Sequence, residues 1–146
     1  MEKDVFFAEV KKVLEEKKTV RIRVRGNSML PFIRHNDCVI LAYPAPGKIR
    51  RGSIVVAYTD ELGYVMHRIV EKKGEQLILL GDGNVNQFEH TDCGRVIAVV
   101  TQYERGKRIF SVDGLGMRIV GRVWYMMHPW RKRVLDVWWK IKLKLC

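Results

Sequence analysis

Residues 19–25 read Thr-Val-Arg-Ile-Arg-Val-Arg, and residues 26–31 read Gly-Asn-Ser-Met-Leu-Pro. The first stretch strictly alternates polar and apolar side chains, which is the pattern of a strand with one buried face. Gly26 ends this strand, and Ser28 follows between a glycine and a proline in a stiff bend. The sequence therefore predicts a strand that leads to an exposed serine.

Short apolar segments continue beyond this bend at the spacing of a β domain. They predict further strands at 37–43, 53–59, 63–71, 76–81, 94–104 and 108–112. Glycine-containing turns separate several of them, as expected between antiparallel strands. Residues 85–92 are polar and read as a loop. The fold class predicted is mainly β (α+β), a compact antiparallel domain.

Helical periodicity occurs at the two ends of the chain. Residues 4–18 have apolar side chains on one face, and residues 115–127 follow a similar pattern. The last stretch, 130–146, fits either a helix or a strand. We therefore expect an N-terminal amphipathic helix at 1–18, a β domain at 19–112 and a basic, tryptophan-rich helical tail at 113–146.

Composition indicates an ordinary folded domain. The chain has 146 residues, 47% of them hydrophobic and 29% charged, which is enough to bury a core without disulfide or metal support. The three cysteines, Cys38, Cys93 and Cys146, are odd in number and show no C-x-x-C spacing. This usage argues against a disulfide framework and a zinc site, and no motif indicates a cofactor.

The positive charge is concentrated near the C-terminus. The whole chain has a net charge of +11, and residues 117–146 contain eight Lys/Arg against the single acid Asp136, a net +7. All four tryptophans lie there as well: Trp124, Trp130, Trp138 and Trp139. Such a segment suits an anionic membrane surface, and we expect 129–146 to be the contact. Nucleic acid is the weaker expectation for the partner.

Neither end indicates a membrane span or a secretory leader. The start, Met-Glu-Lys-Asp, lacks a basic region, and no apolar run reaches the ~18 residues that a span requires. The sequence thus predicts a cytoplasmic protein or one that is peripheral at a membrane.

The segment Gly26-Asn27-Ser28-Met29-Leu30-Pro31 resembles the G-x-S-M-x-P box of type I signal peptidases and mitochondrial inner-membrane peptidases. Four more segments resemble that family's boxes in the same order. They are Asp37-Cys38-Val39-Ile40-Leu41, Arg51-Gly52-Ser53-Ile54-Val55-Val56, Met66-His67-Arg68-Ile69-Val70 and Leu80-Gly81-Asp82-Gly83-Asn84. The boxes span roughly 20–100 and imply a signal peptidase/LexA-like domain that cleaves signal- or leader-like peptides after small residues.

The resemblance also implies roles for individual residues. Ser28 is the expected nucleophile, and His67 is its expected general base, as in the archaeal and endoplasmic-reticulum type rather than the Lys-dependent bacterial type. A third group should orient the imidazole. Asp82 is the first choice because it matches the box, and Asp92 ranks above Glu89. The residues expected to line the substrate site are Gly26, Asn27, Met29 and Pro31.

One departure leaves other functions open. Many signal peptidases have a serine two positions before the nucleophile that donates to the oxyanion, and this chain has Gly26 there. A non-catalytic relative that binds peptide or membrane is therefore an alternative. A self-cleaving repressor-type peptidase is another, with Cys93-Gly94 as a superficially similar bond, although that type uses lysine as base.

Overall fold

A computed structural model describes residues 2–84, 87–112 and 115–127, together with Arg133 and Val137. Two α-helices and eight strands occur in this part of the chain. Their bounds are α1 Glu2–Glu15, β1 Val20–Arg23, β2 Cys38–Ala42, β3 Ile54–Thr59, β4 Gly63–Lys73, β5 Gln76–Leu80, β6 Phe88–Asp92, β7 Val96–Arg105, β8 Arg108–Ser111 and α2 Leu115–Met126.

The strands form one antiparallel sheet in the order β1-β2-β7-β3-β4-β5-β6, with β8 also paired to β7. Strands β3, β4, β5 and β6 are sequential neighbours, while β7 returns to lie between β2 and β3. This crossover places β7, from the second half of the chain, between two strands from the first half. The predicted fold class, a mainly β antiparallel domain with helices, is confirmed.

Strand β3 runs through the centre of the core. Its first four residues are buried, so both faces of the strand are covered. Ile54 and Val56 pack in one apolar cluster, and Val55 and Ala57 pack in another. Because successive side chains of a strand point to opposite faces, the two clusters lie on opposite sides of the sheet.

Helix α1 covers one of these two faces. Val10 and Leu14, one turn apart, are 4% and 0% exposed and belong to the cluster that contains Ile54. The buried face of α1 therefore packs against the sheet. Helix α2 packs through Trp124 against Leu30 and Phe32.

Strand β6 differs from the sequence prediction, which treated 85–92 as a loop. Phe88–Asp92 pairs with β5 in register, with Glu89 opposite Leu79 and Thr91 opposite Leu77. The alternation of a half-buried strand is present, but its buried positions carry Glu89 and Thr91 instead of apolar residues. Polar partners compensate this burial: Thr91 donates to the Tyr58 carbonyl, and Glu89 contacts a histidine. Hydrophobic periodicity cannot detect such a strand.

Only part of the predicted C-terminal tail lies among the described residues. The helix predicted at 115–127 corresponds to α2, whereas the tail at 129–146 lies outside the described residues apart from Arg133 and Val137. Within the described ranges, neither helix has the length and apolarity needed to cross a membrane.

Candidate active site

Ser28 lies in the exposed loop between β1 and β2. Gly26 begins this loop with φ +97°, a conformation that side chains disfavour. The Gly26 N–H donates to Nδ1 of His35 at 2.9 Å, and the Leu30 N–H donates to the Asn27 carbonyl at 3.3 Å. A glycine is therefore required at position 26 by the backbone, and its own N–H is already engaged.

The residues that follow Ser28 anchor the loop in the core. Met29 and Leu30 are each 2% exposed, and Pro31 is half-buried. The Met29 carbonyl accepts the N–H groups of Phe32 and Ile33, each at 3.1 Å. Met29 thus fixes the loop by packing in the apolar core, whereas Gly26 and Asn27 are exposed beside Ser28.

Strand β4 carries His67 and Arg68 side by side, and both are 4% exposed. Adjacent strand residues point to opposite faces, so these two buried side chains serve different surroundings. Nδ1 of His67 contacts Oε1 of Glu89, whose side chain has no exposure. Glu89 Oε2 is also buried and has no hydrogen-bond partner among the described residues.

Gly81 lies where the histidine and the serine loop meet. Leu80 pairs with Arg68, so the next residue, Gly81, comes opposite His67. A Cβ at Gly81 would lie 2.4 Å from the Ser28 carbonyl oxygen and 3.0 Å from Nε2 of His67. Ser28 and the outer ring nitrogen of His67 therefore flank the same small space, which only glycine leaves open.

The segment after Gly81 holds the serine loop in place. The Gly83 N–H donates to the Ser28 carbonyl at 2.8 Å, and the Asp82 N–H lies 3.4 Å from the Met29 sulfur. A Cβ at Gly83 would come within 2.7 Å of the Asn27 carbonyl oxygen. The two glycines thus allow two backbone segments to approach closely.

Asp82 pairs with Arg68 instead of His67. Nε and the Nη2 amino group of Arg68 donate to the two carboxylate oxygens of Asp82 at 2.8 and 2.7 Å. Burial alone would lower the pKa of Arg68, but the charge of Asp82 and its hydrogen bonds outweigh burial, and the pKa is raised. A bidentate buried pair of this kind orders the loop that follows β5.

The Asp92 carboxylate contacts Arg95 and not the ring of His67. It accepts from the Arg95 backbone N–H at 3.2 Å and from the Arg95 guanidinium at 3.0 Å. It caps the short turn Cys93–Arg95. The sequence analysis ranked Asp82 and Asp92 ahead of Glu89 as partners of His67, and the structure corrects that order: Glu89 contacts the ring.

The Ser28 side chain makes no hydrogen bond to any described residue, and its backbone N–H also donates to none of them. The hydroxyl and the N–H are therefore both available to a bound peptide. The structure therefore has no hydrogen bond between the Ser28 hydroxyl and His67. Hydrogen bonds of this kind often form or shorten only when substrate is bound. Among the described residues, no cluster of His, Cys, Asp and Glu could hold a metal ion.

A comparison with protein families matches residues 2–100 to the family described as Peptidase S24-like. The chain belongs to this family. The S24-like match begins in α1 and ends within β7, so it includes every site residue described above. The family is part of the LexA/signal peptidase superfamily, and membership supports a peptidase, that is, a hydrolase of peptide bonds. Searches of the curated proteins and of the solved structures gave no significant match.

Sequence reasoning underrated one residue of this S24-like site and overlooked another. Glu89 was considered but ranked last, because Asp82 matches the sequence box and Asp92 directly precedes the next predicted strand. Trp124 was noted only as one of four tryptophans in the basic C-terminal region, yet it is 8% exposed and its Nε1–H donates to the Asp82 carbonyl at 2.8 Å. Only a contact between distant segments could have identified either one.

Proposed function

We propose that the chain is a serine endopeptidase in which Ser28 is the nucleophile, His67 the general base and Glu89 the residue that orients His67. The observation that carries this proposal is the contact of Glu89 with Nδ1 of His67, which directs Nε2 of the same ring toward the Ser28 loop. The His67–Glu89 contact supports a Ser-His-acid triad, a constellation that is recognised by geometry and not by residue order.

The burial of Glu89 supports a functional role. A carboxylate with no exposure and one unpartnered oxygen costs free energy that an apolar residue would not. A buried polar atom without a partner is uncommon in native structures, and a catalytic role is one reason for such an atom. The negative charge of Glu89 also stabilises an imidazolium ion, which is the form that His67 takes during acyl transfer.

The proposed reaction has two balanced halves. Ser28 Oγ attacks the peptide carbonyl as Nε2 of His67 takes its proton; the imidazolium then protonates the leaving amine as the C–N bond breaks. In the second half His67 takes a proton from water as the water attacks the ester; the imidazolium then returns this proton to Ser28 Oγ as the C–O bond breaks and the carboxylic acid leaves. The Ser28 N–H, which donates to no described residue, would be the oxyanion donor of this loop.

The substrate proposed is an extended signal- or leader-like peptide with small residues before the cut. Ser28 is exposed at the rim of a sheet, where an extended chain can lie along neighbouring backbone groups. The sequence boxes around Ser28 and His67 support this substrate class. Binding peptide without cleavage is the alternative that the experiment below must exclude.

Self-cleavage at Cys93–Gly94 has less support. These residues lie in the turn Cys93–Arg95, which the Asp92 carboxylate caps. A bond to be attacked by a serine must be presented in extended form, so this turn would first have to unfold. Peptide cleavage in trans is thus the better-supported function.

The experiment measures acylation and cleavage separately. Purified protein is treated with a fluorophosphonate probe, and the labelled residue is located by mass spectrometry. Cleavage of a leader-like peptide library is then followed for the parent, Ser28→Ala, His67→Ala and the matched control Ser53→Ala, whose hydroxyl donates to the Lys48 carbonyl in another loop.

We expect label at Ser28 and loss of cleavage in both site variants, with the control unchanged. Cleavage that survives Ser28→Ala would reject the nucleophile. Absence of both label and cleavage, with retained peptide binding, would identify a binding relative. Fragments that form from the protein alone at a concentration-independent rate would instead support self-cleavage.

A further inference from the structure

Helix α2 has an apolar face that no described residue covers. Ile119, Val120, Val123 and Met126 are 54%, 45%, 49% and 71% exposed. These positions fall on one side of the helix, while Gly121 and Trp124 on the other side are buried. An exposed apolar stripe of this kind indicates an interaction surface.

A cavity of about 180 Å³ opens beside this face. The apolar residues that line the cavity include Val70 and Tyr125. Ile119 belongs both to this lining and to the exposed stripe. Arg51 and Arg122 line it as well. Both are exposed, and neither forms an ion pair with any described residue.

A third arginine of the cavity, Arg68, differs from these two because Asp82 balances its charge. Among the described residues that line the cavity, the charge without a described counter-charge is therefore that of the Arg51 and Arg122 guanidinium groups. A guanidinium suits phosphate oxygens geometrically, and an apolar stripe beside it suits acyl chains. The cavity and the stripe together match an amphiphile with an anionic head.

We infer that the exposed face of α2 and the Arg51–Arg122 cavity form a docking surface for an anionic phospholipid bilayer. The apolar side chains enter the interface, and the two arginines bind lipid phosphate groups. Charge complementarity selects this occupant over a neutral apolar partner. This surface lies before residues 129–146, which the sequence suggested as the membrane contact. The inference does not depend on peptidase activity.

The docked surface would lie next to the candidate active site. Gly121 packs against Arg68, since a Cβ there would meet the Arg68 guanidinium at 2.6 Å. Trp124 donates to the Asp82 carbonyl at 2.8 Å. Docking through α2 would hold the Ser28 loop close to the membrane surface, where membrane-bound peptides are concentrated.

Vesicle co-sedimentation of the full chain tests this surface. The probes are vesicles of phosphatidylcholine alone, vesicles with one third phosphatidylglycerol, and inorganic phosphate as competitor. The variants are Arg51→Gln with Arg122→Gln, and Val123→Asp. The matched controls are Arg108→Gln and Ile109→Asp on the exposed β7–β8 hairpin, where Ile109 is 66% exposed. Circular dichroism verifies that each variant folds.

We expect binding to the anionic vesicles and not to phosphatidylcholine alone. Each arginine should contribute about five-fold, so the double variant should bind at least ten-fold more weakly. Val123→Asp should also weaken binding, and the hairpin controls should not. Parent-like binding by both α2 variants, with loss only on removal of 129–146, would overturn the inference in favour of the tail. Full competition by inorganic phosphate would indicate a free-phosphate site, and concentration-dependent dimers disrupted by Val123→Asp would indicate a second copy as occupant; either result would overturn the inference.

Discussion

Glu89 reaches Nδ1 of His67 from a strand that lies two positions away in the sheet. His67 is on β4 and Glu89 on β6, with β5 between them. The contact crosses β5 near its end: Glu89 is opposite Leu79, and Gly81, opposite His67, leaves room for Nε2 on the other side of the ring. The orientation of the histidine thus depends on three adjacent strands and on one glycine.

Glu89→Gln is expected to lower kcat by about 10²–10⁴ because the amide no longer stabilises an imidazolium ion. The free energy of unfolding should change by only about 1 kcal/mol, since the amide keeps the shape and a hydrogen bond. Peptide cleavage and urea unfolding are the measurements. Asp92→Asn, which affects a turn cap, is the control and should retain activity. A variant as active as the parent would remove Glu89 from the mechanism.

Gly81→Ala is expected to abolish labelling of Ser28. The added methyl group would lie 2.4 Å from the Ser28 carbonyl oxygen and 3.0 Å from Nε2 of His67, so the two segments must separate. Such overpacking also costs about 1–3 kcal/mol of stability. Gly47→Ala is the matched control, because a Cβ there meets nothing within 4 Å. Normal labelling in Gly81→Ala would show that the loops tolerate the displacement.

Asp82→Asn is expected to reduce the free energy of unfolding by about 3–5 kcal/mol, because it leaves the buried Arg68 guanidinium without a counter-charge. The double variant Asp82→Leu with Arg68→Met should recover much of this loss. Urea unfolding at neutral pH measures both. Asp60→Asn removes an exposed partner of Arg95 and should cost less than about 1 kcal/mol. Equal losses for Asp82→Asn and Asp60→Asn would contradict the buried-pair interpretation.

Trp124→Phe is expected to lower the free energy of unfolding by about 1 kcal/mol through loss of the hydrogen bond to the Asp82 carbonyl. The remaining ring still packs against Phe32, so the effect should be smaller than that of Trp124→Ala. Tyr58→Phe, on a ring that is 44% exposed, is the control. Unchanged stability in Trp124→Ala would show that α2 does not support the loop.

The Cys93 thiol is expected to react slowly with iodoacetamide at about pH 8, because burial, reinforced by the Glu75 carboxylate, raises its pKa. The rate should increase as the pH rises through that higher value. The folded state favours the protonated thiol, so its contribution to stability is complete below the ordinary thiol pKa and is lost above the raised one. Mass spectrometry of the Cys93 peptide, compared with a free cysteine peptide, measures the rate. A rate equal to that of the free peptide at all pH values would contradict the shift.

Local patterns were sufficient to predict most of the fold. The alternation at 19–25, the strand predicted at 53–59 and the amphipathic helix near the N-terminus each correspond to an element in the structure. These elements bury apolar side chains, so their periodicity is visible in the residues themselves. The strand Phe88–Asp92 was missed because the residues it buries are polar and are stabilised by partners on other strands.

The sequence by itself determined which residues could do chemistry: an exposed serine in a glycine-proline bend, and a histidine in the matching strand. Which acid contacts that histidine was decided only by the tertiary structure. Asp82, Glu89 and Asp92 are equivalent carboxylates in the sequence, but strand order in the sheet brings Glu89 near His67, Asp82 pairs with the buried Arg68, and Asp92 caps a turn. A hydrogen bond requires two atoms within about 3 Å, and the distance between remote segments is set by strand pairing, not by spacing along the chain.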